Sequence, residues 1–426
     1  MFFVKKYDLI VAGGGFAGTA AAIEAARSGL SVLLTEQSNC LGGAASNCLV
    51  NPYMGWATKL NGKNVDLCRG IFAEINNNLR EFGKTIDTAL ERNIFNEEYL
   101  KFILLEMTEK AGVELLLRSY ITEAKCQNGI VKSITAANKS GYTELYADYF
   151  IDATGDADLI HLSGFETRLG RDGDNLCQPM TLCFRVANVD MEKFREERPR
   201  LNVLYKKYKE EGKIKNPRED ILCFYLLVEG IIHFNSTRIV KLDPTNALDI
   251  TKAEIGARKQ VFELFSFLKE NFESFKNAHI LSTAANIGVR ESRMICGEHT
   301  LTEIELKECT KFYDAVAYGN YDIDIHNPEG SGTSHYYFGE GEFYTIPYRS
   351  LIPKTAKNIL AAGRCISVTH EAQASIRIMP IVCCIGQAAG AAAAVAFKEK
   401  KAVNDINVSR LRDKLYEEDA LNKDIF

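Results

Sequence analysis

The chain has 426 residues, 46% of them hydrophobic and 25% charged, with a formal net charge of -5. That length predicts two or three domains, and that mix is typical of a globular protein with a real core. The acidic balance, with no basic run beyond the short cluster of Lys206, Lys207 and Lys209, argues against a nucleic-acid partner. The longest Ala-rich stretch, 387–397, is shorter than the ~20 residues of a membrane span. The twelve cysteines contain no C-x-x-C pair, and the first residues lack the pattern of a secretory signal. These features predict a reduced, cytoplasmic protein.

Residues 7–12 (YDLIVA) form a short, β-branched apolar run and predict a buried parallel strand. Gly13, Gly14, Gly15 and Gly18 follow, then an Ala-rich helix over 19–28 closed by Gly29, then a second buried strand over 30–36. Gly13-x-Gly15-x-x-Gly18 thus lies between a strand and a helix. In such a unit the first glycine permits the tight turn, the second lets backbone approach a pyrophosphate, and the third lets helix and strand pack closely. The helix N-terminus, with Phe16 and Ala17, offers N–H groups to phosphates. Glu36 ends the second strand, followed by Gln37, where an acid accepts hydrogen bonds from a ribose.

Past a loop over 39–63, periodicity predicts helices over 67–82 and 96–111, a strand over 113–117 and a β-meander over 121–126, 130–136 and 142–147. Asn128-Gly129 supplies its hairpin turn, and 149–153 reads as a separate buried strand. After about residue 170 come a charged helix over 194–215, strands within 223–234 and 238–242, and an amphipathic helix over 251–271. An aromatic, loop-rich segment over 318–353 leads to a strand over 358–362 and an Ala/Gly-rich helix over 380–398. The architecture these imply is α/β: a discontinuous Rossmann-like domain of parallel sheet and β-meander, residues 1–170 and 345–426, with an inserted α+β cap over 171–344.

Three features favour FAD over NAD. Leu41-Gly42-Gly43-Ala44, with Ala45 after it, follows the acid closely, as a glycine loop along an extended dinucleotide would. The meander, in which Ile121 is the first cofactor candidate, leads to Ala153-Thr154-Gly155. The strand ending at Gly363-Arg364 precedes a helix with Pro380 in its first turn, whose N-terminus suits the charge that collects on a reduced flavin. No second G-x-G-x-x-G occurs, so no NAD(P)H domain is expected, and Gly386-x-x-x-Gly390 reads as close helix packing. Cys40 and Cys48 are too far apart for a short-loop redox disulfide.

The segments YDLIVAGGGFAGTAAAIEAARSGLSVLLTEQ, LGGAAS, DATGDADL, IGVRESRMICGEHTLT, YTIPYRSLIPK and NILAAGRCISVTHEAQASIRIMPIVCCIGQAAGAAAA resemble the glutathione-reductase-like FAD superfamily. Within it the chain is similar to a bacterial family of FAD-dependent oxidoreductases, whose FAD domain resembles those of fumarate-reductase flavoproteins and thiazole synthases. The likeness spans most of the chain and leaves about 190–280 unmatched. It implies FAD as cofactor, hydride transfer between a small polar substrate and flavin N5, and reoxidation by an unidentified acceptor. It leaves substrate and direction open.

In that family the segment carrying His370 and Arg377 runs beside the isoalloxazine. Arg377 is a candidate to stabilise an anionic reduced flavin or a substrate carboxylate, and His370 a candidate acid or base. Arg290 and Arg293 flank Glu291 and are expected to share a helix face, Arg290 as a substrate contact or half of an ion pair. His326 and His335 lie in an acidic, aromatic segment with Asp322, Asp324 and Tyr348, and are candidates for the substrate side. No complete ligand set is readable, so no metal is expected. His161, His233, His279 and His299 are read as structural. Two alternatives stay open: an electron-transfer flavoprotein subunit needing a partner protein, and a tRNA-modifying flavoprotein, against which the acidic charge argues.

Overall fold

The computed structural model describes residues 6–82 and 93–425. Lys6–Ala12 (β1) is buried on both faces, as a strand inside a parallel sheet must be. Phe16–Arg27 (α1) follows, and Val32–Glu36 (β2) pairs with β1 in parallel from Leu9–Val32 to Ala12–Thr35. The stretch expected as loop holds Ala44–Asn47 (α2) and a hairpin of Ala57–Leu60 (β3) and Lys63–Asp66 (β4). These strands are short and polar, without the apolar alternation that marks a strand in sequence. Ile71–Glu81 (α3) and Glu97–Lys110 (α4) come next, with Asn96 capping α4 through the Glu98 N–H. Glu114–Leu117 (β5) extends the sheet beside β2.

The meander is Tyr120–Gln127 (β6), Ile130–Asn138 (β7) and Gly141–Asp152 (β8). What reads as two strands around residue 148 is one. Residues up to Leu145 pair antiparallel with β7, and from Tyr146 onward the strand pairs parallel with β1. The change of partner turns a half-exposed strand into a buried one, and that change of pattern mimics a break. The sheet order is β5-β2-β1-β8-β7-β6.

Asp158–Leu162 (α5) and Thr167–Leu169 (β9) lead out of this unit. Phe184–Ala187 (β10), Met191–Glu210 (α6), Cys223–Tyr225 (β11), Ile232–Phe234 (β12), Ala247–Asn271 (α7) and His279–Thr283 (β13) build a second core. Its antiparallel sheet runs β11-β12-β10-β13, and Phe184 stacks on Phe234 at 4.7 Å. Residues 238–242, expected as a strand, contribute only the bridge Met180–Ile239.

Arg293–Ile295 (β14) pairs with β9, so Arg290 and Arg293 precede and open a strand and share no helix face. After Glu303–Lys307 (α8), the segment expected as loop forms Ala315–Gly319 (β15), Ile323–His326 (β16), Thr333–Tyr336 (β17) and Tyr344–Pro347 (β18), paired β15–β18 and β16–β17. Its buried aromatics Tyr318, Tyr344 and Tyr348 join the first core, whereas the second draws on Leu49 and residues from Met180 to Ile287.

Ile359–Ala361 (β19) returns to the main sheet beside β8. The stretch that follows, to which no element is assigned above, is a helix, His370–Ile376 (α9), capped by Thr369. Met379–Glu399 (α10) and Val408–Glu417 (α11) complete the fold. α10 exceeds the Ala-rich stretch read from sequence, and by length and composition it could cross a membrane; 89% of its most apolar window is buried inside the protein. It lies against α1, where a Cβ on Gly386 would stand 2.0 Å from the Ala17 carbonyl oxygen and one on Gly390 2.3 Å from that of Ala21.

Candidate active site

A cleft of about 690 Å³ opens where β1, β2, β8 and β19 end, lined there by Gly13, Glu36, Ala153 and Gly363. Gly13 turns at φ +98°, and a Cβ there would stand 2.4 Å from the Ala153 carbonyl oxygen. A Cβ on Gly18 would lie 1.7 Å from the Gly13 oxygen, so this glycine serves helix-to-strand contact rather than the cleft. Gly15 caps α1 without a side-chain hydrogen bond, and the first turn carries no acid. The N–H groups at that helix start are therefore available to an anion.

The Glu36 carboxylate accepts from the Gly14 N–H at 2.6 Å and the Ser38 N–H at 2.7 Å. Two backbone donors fix it on the cleft wall while leaving lone pairs for a further donor. Phe16, Ala17, Gln37, Gly42, Gly43, Ala44, Ile121, Thr154, Gly155 and Arg364 also line the cleft. Ala45 and Pro380 do not: Ala45 is buried within α2, and Pro380 sits in the first turn of α10, where Met379 and Val382 reach the cleft instead. Gly155, at φ +84°, lies under the Arg364 guanidinium, which pairs with Asp156 at 2.6 Å. Arg118, Asp156 and Cys48 line the cleft as well; Asp156 falls inside the DATGDADL segment, and nothing in the local sequence marks Arg118.

The family described as FAD dependent oxidoreductase matches residues 8–415. The chain belongs to that family. The glycine cradle, the open start of α1 and the fixed Glu36 carboxylate fit FAD, and a Cβ on Gly15 or Gly43 would occupy part of that cradle. Among curated proteins, the enzyme is 30% identical over 142 residues to a digeranylgeranylglycerophospholipid reductase of Methanocella arvoryzae, covering 31% of this chain and 34% of that one. It is 28% identical over 200 residues to digeranylgeranylglycerophospholipid reductase 2 of Methanothermobacter thermautotrophicus, covering 44% and 48%. The matches thus span less than half the length of these relatives. Among solved structures, a geranylgeranyl bacteriochlorophyll reductase-like protein of Thermoplasma acidophilum is similar with a TM-score of 0.47 at 14% identity, covering 97% of this chain and 84% of that one.

Glu254, Ile287 and Val289, from the part of the chain that builds the second core, also line the oxidoreductase's cleft, as do Arg377, Met379 and Val382. Arg377 ends α9 and donates to Asp324 at 3.4 Å. Arg290, beside Val289, donates to the Pro179 carbonyl at 2.7 Å and to Thr181 Oγ1 at 2.5 Å. His370 is buried, and its Nδ1 lies 2.8 Å from Glu291, a fully buried carboxylate that also accepts the Gln178 N–H at 2.8 Å. His370 does not line the cleft. Helix α9 turns it toward residues 178 and 291 instead.

Of the other candidates, none lines the cleft. His326 is buried between Asp324, at 3.3 Å, and Arg238, at 3.0 Å; burial and the charge of Arg290 push its imidazole down to about 3, so it is neutral near pH 7. His335 stands on β17 with Nδ1 2.6 Å from Asp322 and its ring stacked on Tyr337. Asp322, Asp324 and His335 hold donor atoms within 4.8 Å of one another, a grouping that could hold a metal ion although no complete ligand set is readable along the chain. Tyr348 is buried, and its hydroxyl donates to the Val403 carbonyl at 2.7 Å. The turn after β18 drives it into the first core, away from the substrate side expected for it.

His233 lies in the middle strand pair of the second sheet, fully buried, with neither nitrogen hydrogen-bonded. Burial, with Arg185 beside it, pushes its imidazole down to about 3. The unfolded chain takes up that proton near pH 6.5 and the folded one only near 3, so this residue's contribution to stability falls as pH drops between those values. Asp152, pushed up to about 6, and Glu418, pushed up to about 7, act in the opposite sense, so the comparison with a variant isolates His233. Chemical denaturation is expected to show His233→Phe gaining about 2 kcal/mol on the unmodified protein between pH 7 and pH 5. An unchanged difference at the two pH values would show that His233 takes up its proton in the fold as readily as in the unfolded chain.

Proposed function

We propose that this oxidoreductase transfers a hydride between a small polar substrate and N5 of FAD held in the cleft, with an acceptor outside the chain completing the cycle. The observation that carries the reading is the meeting of the dinucleotide cradle with Arg377 and the start of α10 in one cleft. FAD supplies the hydride-accepting chemistry. In this reading Gly13, Gly15, Phe16, Ala17, Gly42, Gly43 and Ala44 bind the phosphates, and Glu36 holds the ribose. The N-terminus of α10, with Pro380 in its first turn, adds partial positive charge at the ring end. His370 acts as a positioning residue: paired with Glu291, it anchors the chain that carries Arg290.

The names of the two curated relatives support reduction of the substrate as the running direction. The polar groups on the cleft wall support a smaller, more polar substrate than those names specify. Membership of the glutathione-reductase-like superfamily and a cytoplasmic location, the latter in keeping with twelve free cysteines, are parts of the same reading.

The test is an absorbance spectrum of the purified protein under anaerobic conditions. Bands near ~375 and ~450 nm are expected. They should bleach on adding one class among hydroxy acids, amines, alcohols and sugars, or return in pre-reduced protein on adding an unsaturated compound. A flavin that responds to none of these would sink hydride transfer by this chain alone and favour a subunit that needs a partner protein.

A further inference from the structure

We propose that Asp324 and His335, with Asp322 beside them, bind a divalent first-row cation of the Mn²⁺ or Zn²⁺ class on the β16–β17 hairpin, outside the cleft and independently of the proposed reaction. The backbone brings the three together. Asp322 and Asp324 stand two residues apart at the start of β16, so their side chains share one face. In the antiparallel register Asp324 lies directly opposite His335 on β17, and opposed residues put their side chains on the same face. Asp-x-Asp on one strand thus gains from the next strand the imidazole it lacks. One donor atom from each of the three residues lies within 4.8 Å of the others.

A cluster of acids does not by itself indicate a ligand, but one oxygen here does. Asp324 is only 7% exposed. Its partners all take Oδ2: the Tyr321 hydroxyl at 3.0 Å, His326 Nε2 at 3.3 Å and Arg377 at 3.4 Å. Oδ1 is buried and, among the described residues, accepts no hydrogen bond. A buried carboxylate oxygen without a donor is costly, and a bound cation removes that cost. What Oδ1 faces is His335 Nε2, at 3.7 Å. That is too long for a hydrogen bond. It fits two ligands of one cation, which stand about 3–4 Å apart when each bond is about 2.1 Å.

The imidazole is held for this role. Its Nδ1 lies 2.6 Å from Asp322 Oδ2, so Nδ1–H donates there and Nε2 keeps the lone pair that faces Asp324. A carboxylate behind the ring is the usual partner of a metal-bound histidine. Tyr337 stacks on the ring at 5.3 Å and fixes its plane. The His335 side chain is 34% exposed, so an ion and its waters can enter from solvent. One imidazole with carboxylate oxygens and no thiolate suits Mn²⁺ and Zn²⁺, whereas Mg²⁺ keeps to oxygen ligands and its own waters. Because Asp324 also holds Arg377, which ends α9, a bound ion would tie the hairpin to that helix.

The experiment titrates FAD-loaded, chelator-treated protein with Mn²⁺, reading the free ion by electron paramagnetic resonance and the protein by a thermal melt with and without the ion. One Mn²⁺ per chain and a higher melting temperature are expected, with displacement by Zn²⁺ and none by Mg²⁺ at the same concentration. Asp322→Asn should weaken Mn²⁺ roughly 10- to 100-fold, as loss of a ligating histidine's carboxylate partner does. His335→Gln should weaken it at least as much, with FAD content unchanged in both variants. Both leave the pair of Asp324 and Arg377 intact. If His335→Gln folds poorly, Asp322→Asn decides alone. No bound Mn²⁺, equal displacement by Mg²⁺, or unchanged affinity in the variants would each overturn the site. A flavin that no redox compound changes would remove the proposed reaction and leave this site standing.

Discussion

Gly15→Ala is expected to give a folded protein that no longer retains FAD. Gly15 has φ -67° and ψ -177°, a backbone conformation open to any L-residue. A Cβ placed there meets only the Cα of Gly43, at 3.9 Å, within 4 Å. The protein itself therefore has no quarrel with a methyl group. Yet Gly15 lines the cleft at the open start of α1, where a pyrophosphate must come close to backbone N–H groups. A methyl group holds the phosphates off, and each charge-assisted hydrogen bond lost costs about 1.5–3 kcal/mol.

FAD affinity should fall at least tenfold while the apoprotein melts within a few degrees of the unsubstituted one. Flavin absorbance per chain after reconstitution, set beside a thermal melt without FAD, checks both halves. Gly13→Ala provides the contrast: at φ +98°, with its Cβ 2.4 Å from the Ala153 oxygen, it should damage the fold as well. Full retention of FAD by Gly15→Ala would mean that the cofactor's phosphates do not approach this turn.

Gly386→Ala should destabilise the fold far more than Gly15→Ala, although it too adds a single methyl group. Its Cβ would stand 2.0 Å from the Ala17 oxygen and 2.6 Å from Ala17 Cα, both backbone atoms of a buried helix that no rotamer change can move aside. α1 and α10 must part, which opens the contact along the centre of the first core. Overpacking of this kind costs about 1–3 kcal/mol, and a backbone collision belongs at the upper end or beyond. Both helices point their N-termini at the cleft, so the same shift should spoil FAD retention. Denaturation midpoint and flavin content are expected to fall together. Gly29→Ala is the control: its φ is also unusual, +95°, but nothing lies within 4 Å of the added carbon, and a loss of only about 1 kcal/mol is expected. Similar stability for both variants would show that α1 and α10 are not in such close contact.

What the amino-acid sequence determined by itself is whatever one element or one turn encodes. The strand, glycine turn, helix and second strand over 6–36 are legible because burial on both faces, tight turns and helix packing each demand particular residues at fixed local spacing. The Asn128-Gly129 hairpin and the Gly386/Gly390 contact are legible for the same reason. The choice of FAD rested on several such local motifs in one chain, and the family match agrees with it.

What only the tertiary structure decided is everything that needs two distant segments at once. β8 reads as two strands because it changes partners, and a partner leaves no mark on local pattern. The short strands β15 to β18 are held by one another and by the first core, so their own composition reads as loop. Tyr348 is a core residue because of where its turn is packed. His370 finds Glu291 79 residues away. Asp322 and Asp324 meet His335 through the β16–β17 register, and Gln373 on α9 donates to the Arg290 carbonyl 83 residues away. Charges act through space, so their pairing follows from how elements pack and not from the spacing of residues along the chain.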